Sequence, residues 1–333
     1  MFRRRTLALA LAATALTVAG CGEGARSRSG TAKPTVEVGY AFGYGTGDVA
    51  DRIAFARLEH RSGIRFRIRE LGGVANAVVA LLRGDVQLAT MPYSTAVRAV
   101  GERAGLHVVL GADMATDLVL VGRDGITGVR QLQGGRVADD GPGLDGETLV
   151  LLALTHAGVP RSAVRLTPLD SAPRASALAA GRVDAAVLQY PDYERLLAQD
   201  PGLGVLAELS AFRPRSAETV WVVSNDYERL HRPLVRRLVT GLLDGYAYAY
   251  RPAGRRAWLR LARRTALKGE DPALATRLYA YYRRVRFWPL RDEPVTAAEH
   301  RRTVRFWLRM GQLERYVPFD RVWDESFWRA SER

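Results

Sequence analysis

From Val36 onward, short runs rich in β-branched residues alternate with stretches whose apolar positions recur at helical spacing, as expected for strands and helices in layers. Strands are predicted at Val36–Tyr40, Arg65–Arg69, Val86–Thr90, His107–Gly111, Leu118–Val121, Arg136–Ala138, Val164–Leu166, Ala185–Leu188 and Val220–Ser224. Between them, Val49–His60, Val74–Leu82, Glu147–His156 and Arg174–Ala179 read as helices. After Asn225 helix follows helix: Leu234–Tyr250, Gly254–Arg264, Pro272–Arg283, Ala297–Met310 and a last one near Asp324. The pattern is α/β, followed by a helical C-terminal tail.

The first residues follow a different pattern. Arg3, Arg4 and Arg5 precede an uncharged run, Thr6 to Ala19, that ends in Val18-Ala19-Gly20-Cys21, the layout of a secretory signal. As a helix the run reaches about 21 Å, short of the ~30 Å hydrocarbon core, so it is expected to be removed rather than to span. Small residues before a lone cysteine resemble a bacterial lipobox, which implies cleavage before Cys21 and a lipid on its thiol. The competing reading is an ordinary signal with an incidental cysteine. Cys21 is the only cysteine among 333 residues, so no disulfide can form within the chain. Residues 22 to 34 lack apolar periodicity and read as a tether. The expected divisions are a signal peptide at 1–20, a flexible tether at 21–34, and a body from 35.

A body of about 300 residues at 47% hydrophobic content is enough for two ordinary cores, and no second long apolar run interrupts it. The net charge of +14 would suggest nucleic acid if it were spread evenly. It is not: residues 1–34 carry +5, residues 251–333 carry +10, and residues 35–250 carry −1. The C-terminal arginines recur at helical spacing between apolar residues, which fits a solvated helix face or an attraction to anionic headgroups. No nucleic-acid recognition motif accompanies the charge.

One internal similarity organises the body. A shift of 97 residues lays Leu81, Gly84, Val86 and Ala89 onto Leu178, Gly181, Val183 and Ala186, and Tyr93 onto Tyr190. In each copy a helix ends at glycine, a short strand follows, and a loop containing Pro92 or Pro191 leads into another helix. Two similar α/β lobes would bring equivalent loops together across a cleft, at the carboxyl ends of strands where ligands bind open α/β sheets.

Several segments in order then resemble a known family: Val36-Glu-Val-Gly-Tyr40, Leu71-Gly-Gly73, Leu82-Arg-Gly84-Asp85-Val86, Val129 to Val137, Ala179 to Ala185 and Phe319 to Phe327. Together they are similar to the nitrate/sulfonate/taurine/thiamine-precursor group of solute-binding proteins. That resemblance implies a two-lobed type II periplasmic-binding-protein fold, delivering a small solute to the permease and ATPase of an ABC importer. It places lobe one at 35–122 plus 221–333, lobe two at 123–220, and a hinge near Val121 and Val220. The chain would act as a monomer held at the membrane through Cys21. Gly73-Val-Ala-Asn76 also resembles receptors of tripartite, ion-driven importers, and related eukaryotic proteins of this fold are enzymes that make a pyrimidine. Those enzymes lean on a histidine and a cysteine cluster. Here five histidines lie far apart and no cysteine follows Cys21, so neither catalysis, a metal site nor a cofactor is expected.

Five loops should meet the solute. The first supplies Phe42, Tyr44, Thr46 and Asp48 from a glycine-rich turn. Gly45 to Ala50 there also fits the dinucleotide pattern G-x-G-x-x-A, with Glu70 closing the next strand. The second loop supplies Gly73, and the third Tyr93 and Ser94, where the resemblance places ligand contacts. The fourth supplies Asp140, Gly143, Asp145 and Thr148, with Asp145 read as a helix N-cap. The fifth supplies Gln189, Tyr190 and Asp192, where the family often has an acid before proline and this chain does not. The loops are rich in carboxylates, including Asp113, Asp117, Asp139 and Glu147, while Arg52 and Arg174 are the nearest cations in sequence. With aromatic residues that include Trp221, this inventory favours a nitrogenous solute over an oxyanion.

Overall fold

The structure, a computed structural model, describes residues 34–329; the expected signal, Cys21 and all of the tether but Pro34 lie outside the described residues. Among those described, no helix is long and apolar enough to cross a membrane.

The strands in chain order are β1 (Thr35–Tyr40), β2 (Arg65–Glu70), β3 (Leu88–Pro92), β4 (Leu106–Asp113), β5 (Leu118–Gly122), β6 (Arg136–Asp139), β7 (Arg165–Pro168), β8 (Ala185–Gln189), β9 (Gly204–Glu208) and β10 (Thr219–Ser224). They form two five-stranded sheets, β2-β1-β3-β10-β4 and β7-β6-β8-β5-β9. Each sheet holds four strands running one way and one antiparallel strand, β10 or β5, that arrives from the other sheet and separates β3 from β4 or β8 from β9. Strand Leu118–Gly122 therefore belongs to the second sheet, not to lobe one as expected. The chain changes sheets between Asp113 and Leu118, ahead of Val121.

The helices are α1 (Val49–Ser62), α2 (Val74–Arg83), α3 (Tyr93–Gly101), α4 (Asp145–His156), α5 (Ser171–Ala179) and α6 (Tyr190–Leu197), then the tail: α7 (Asn225–Ala249), α8 (Pro252–Arg264), α9 (Pro272–Arg284), α10 (Ala297–Arg309), α11 (Phe319–Val322) and α12 (Ser326–Arg329). The 97-residue repeat corresponds to equivalent places in the two sheets. β3 and β8 are both central, Tyr93 and Tyr190 both open a helix, and Gly84 and Gly181 both end one at positive φ (78° and 65°), which glycine adopts without strain. Helix α7 starts at Asn225, ahead of the expected Leu234. Ser224 caps it, and the chain bends at His231 (φ −125°, ψ 27°), just before Pro233, and continues as helix.

Helix α1 packs on the first sheet and is covered in turn by α7. Gly241 and Gly245, one turn apart on α7, meet Leu58 and Ala54 of α1; a Cβ at Gly245 would lie 2.2 Å from the Ala54 Cβ. Beneath this contact Asp51 is buried, and its carboxyl accepts from Tyr40 (2.9 Å, β1) and Tyr246 (2.7 Å, α7). The Trp221 indole of β10 donates to the Tyr246 oxygen at 2.9 Å, so one buried carboxyl ties four elements together. Gly245→Ala is expected to lower stability by about 1–3 kcal/mol, the usual cost of overpacking, read as a lower urea midpoint with an unchanged m-value.

Candidate ligand-binding cleft

The carboxyl ends of β1, β3 and β4 face those of β6 and β8, and the crossing strands β10 and β5 begin at the same place. Between them lies a cleft of about 780 Å³. Of the expected residues, Phe42, Tyr44, Thr46, Asp48, Ser94, Asp140, Gly143, Asp145, Gln189 and Asp192 line it; Gly73, Tyr93, Thr148 and Tyr190 do not.

The first loop is braced by the tail. Thr46 Oγ1 and the Tyr282 hydroxyl lie 2.6 Å apart, and the Trp288 indole donates to the Gly47 carbonyl at 2.9 Å. Gly47 has no room for a side chain, since a Cβ would sit 2.8 Å from the Phe287 ring. Within the loop, Asp48 Oδ2 accepts the Gly45 amide (2.7 Å) and Glu70 Oε1 accepts the Tyr44 amide (3.2 Å). Although β1, α1 and β2 give the dinucleotide pattern its strand–helix–strand context, carboxylates occupy the amides that a pyrophosphate would need.

The two repeat tyrosines turn away from the cleft, for a shared reason. Each opens its helix with the ring directed at the C-terminal tail. Tyr93 is fully buried, its ring edge-on to Trp307 and Trp323 and its hydroxyl bound to Nδ1 of His300 and to the Trp323 indole. Tyr190 stacks on Tyr281 of α9 with centroids 3.6 Å apart, and donates to Glu194 at 2.7 Å. Around that stack α9 is clasped to the second sheet's side by Arg277–Glu194 (2.6 Å) and Arg284–Glu208 (2.7 Å). Trp221 is likewise buried behind the cleft.

Asp145 is not the cap of α4. The helix begins at Asp145 itself, and Asp140, from the turn after β6, accepts the Gly146 and Glu147 amides at 2.9 and 2.8 Å. Gly146 allows that approach, since a Cβ there would fall 2.6 Å from Asp140 Oδ1. Asp145 instead accepts from Gln312 at 2.8 Å, and the same amide reaches the buried Thr148. Gly73 lies just behind the wall, its N–H donated to the Ala41 carbonyl.

Sequence reasoning missed the tail's contribution of Tyr282, Phe287 and Gln312 to the wall, and the lining cations Arg98 and Arg195. Arg195 could have been found from its place three residues after Asp192, with which it pairs at 2.9 Å. The tail residues carry no local signal.

Seven acidic residues and two arginines line the cleft. Four of the carboxylates are already engaged: Asp140 by helix amides, Asp145 by Gln312, Asp192 by Arg195 and Glu218 by Arg213. Asp48, Asp113 and Asp117 have no cationic partner among the described residues. Each keeps some surface on the cleft while protein surrounds it on the other sides. Burial pushes Asp48 up to about 7, against bonds from backbone amides. It pushes Asp117 up to about 7 as well, with Asp192 adding repulsion. Asp113 is raised well above the usual carboxylate range by burial and then by Asp48 and Asp51. The arrangement can stabilise a bound cation or a donor-rich neutral group, beside the rings of Phe42, Tyr44, Tyr282 and Phe287.

A two-sheet α/β body with crossing strands at a ligand-sized cleft is the architecture of periplasmic solute-binding proteins. The chain belongs to the NMT1/THI5-like family, whose model matches residues 60–254. The fold is similar to that of the periplasmic aliphatic sulphonate binding protein SsuA from Escherichia coli, with TM-score 0.68 and 19% identity over 87% of this chain and 92% of that one. The alkanesulfonate-binding protein SsuA from Xanthomonas axonopodis pv. citri, bound to MOPS, gives TM-score 0.65 and 20% identity over 88% and 99%. The desulfurization enzyme DSZB, in a C27S mutant complexed with biphenyl-2-sulfinic acid, gives TM-score 0.67 and 18% identity over 90% and 99%. No curated protein matches the chain in sequence.

The raised carboxyls have a stability consequence. With its pKa moved from 3.8 to about 7, Asp48 holds a proton in the folded state that the unfolded chain releases. That contribution is complete below the unfolded value and is lost as pH rises through the folded one. Asp48→Asn is therefore expected to raise Tm at pH 8 by roughly 2–4 °C, the shift about 1 kcal/mol gives a body of this size, and to change it little at pH 4. Thermal scans at both pH values check the sign.

Proposed function

We propose that this protein is an extracytoplasmic solute-binding lipoprotein that hands a small, nitrogenous, cationic or donor-rich solute to an ABC permease. The observation that carries the solute class is the set of three cation-free carboxyls, Asp48, Asp113 and Asp117, under aromatic walls. A sulfonate or nitrate would meet the wrong sign of charge there, whereas an amine or a protonated heterocycle would let the carboxyls ionise. The relatives named for sulfonates share the fold, and a shared fold does not fix the ligand. Binding rather than catalysis is supported by the likeness to sulphonate-binding proteins, beside which the enzyme DSZB has a similar fold. The lobes in this reading are the two sheets with their helices, closing about residues 114–117 and the start of β10.

Mass spectrometry after denaturation should identify a nitrogenous molecule carried through purification. Titration calorimetry should give micromolar or tighter binding for a pyrimidine or amine, and none for taurine or nitrate; the reverse ranking would overturn the proposal. Affinity for a cationic solute should rise between pH 5 and 8, by up to about tenfold per pH unit for each proton released. Asp117→Asn should flatten that slope.

The anchor is tested separately. Cys21→Ser should move the chain from the membrane fraction to the soluble extracytoplasmic fraction and remove an acyl mass from its N-terminal peptide.

A further inference from the structure

On the face of α1 turned toward α8 lies a second concavity, of about 620 Å³ and separate from the cleft. Its basic residues are Arg52, Arg57, His60 and Arg61 from α1 and Arg260 and Arg264 from α8, and no acidic residue lines it. Arg61 is shared with Asp244 at 2.8 Å, but Arg52, Arg57, Arg260 and Arg264 have no carboxylate partner among the described residues. The groove is also preformed. The Arg57 guanidinium lies 4.0 Å from the Tyr248 ring centroid, and Arg52 sits 4.8 Å from that of Tyr44. The Nε of each is buried without a hydrogen-bond partner. Leu261, Ile53 and Ala257 give the groove an apolar floor under its cationic rim.

We infer that this groove binds the phosphodiester headgroup of an anionic lipid, docking the body against the membrane surface. Charge complementarity supplies the first argument, since uncompensated guanidinium groups fit phosphate oxygens bidentately while an apolar floor suits the glycerol and upper chain. Position supplies the second. The last turn of α1, with His60 and Arg61, lies at the end of the sheet where the Pro34 carbonyl accepts the Arg65 amide and β1 begins. Residues 21–34 enter there, and extended they reach at most about 50 Å. The nearness of a membrane rests on the anchor reading of Cys21; the groove itself does not.

The test uses the chain from residue 21 with Cys21→Ser, so that no acyl group contributes. It is floated with vesicles of phosphatidylcholine containing phosphatidylglycerol, and with vesicles of phosphatidylcholine alone. Binding is expected only to the anionic vesicles. The triple variant Arg57→Gln, Arg260→Gln, Arg264→Gln should weaken it by roughly fivefold per arginine, with circular dichroism and solute binding in the cleft unchanged. Arg301→Gln, Arg302→Gln, Arg305→Gln removes the same charge from the exposed face of α10 and should cost less than about threefold. Equal losses from the two triple variants would overturn the inference in favour of diffuse charge. Full displacement by inorganic phosphate at matched ionic strength would reassign the groove to a free anion, and equally tight binding of polyglutamate would reassign it to an acidic protein partner. If Cys21 proves unlipidated in the cell, the solute-importer anchor falls while the flotation result stands.

Discussion

Carboxyl groups withdrawn from water beside one another cannot all ionise cheaply, and the cleft is organised around that constraint. Asp51 meets it internally: two tyrosine hydroxyls and the indole behind them satisfy the buried group and join α1, β1, α7 and β10. Asp48, Asp113 and Asp117 have no such internal solution. They sit at the start of α1, at the end of β4 and just before β5, where the chain passes from one sheet to the other. A group of opposite charge placed beside them would let them ionise, which is the interaction that the proposed function uses. In the proposed function, the same groups that cost stability at neutral pH select the solute.

The family's architecture frames this chemistry without dictating it. Both sheets deliver loops to one place because a strand from each is inserted antiparallel into the other's order. The lining of those loops is then free to vary, and here it is acidic and aromatic. The tail takes part in the site as well as in the core. Tyr282, Phe287 and Trp288 brace the glycine-rich loop, and α9 clasps the far sheet through Tyr281, Arg277 and Arg284.

Features that repeat at short range were legible in the sequence. The positions of β1 and β3, the equivalence of β3 and β8, and the glycine-rich loop all follow from local pattern. Strand β9 was missed because its residues are only partly buried and give no clear alternation. Tyr93 and Tyr190 were assigned to the solute because a repeated aromatic beside a loop looks like a binding element. Their rings are repeated because each lobe needs a bolt for the tail, and the bolt's partners, Trp323 and Tyr281, lie 230 and 91 positions further on. The cap of α4 went to Asp140 rather than Asp145 because turn geometry, which one acidic residue among several does not reveal, decided which carboxylate reached the amides.

Strand β10 has a consequence for how the chain is made. It lies between β3 and β4, yet it is synthesised after the whole of the second sheet, so residues 35 to 113 cannot complete their sheet until Thr219–Ser224 has emerged. The second sheet draws all its strands from one continuous stretch, Leu118 to Glu208. Once formed, it closes the long loop between β4 and β10 at little further entropic cost, with Asp113 and Thr219 brought into register. In a chain made from its N-terminus, every strand of the second sheet is therefore available before the first sheet receives β10.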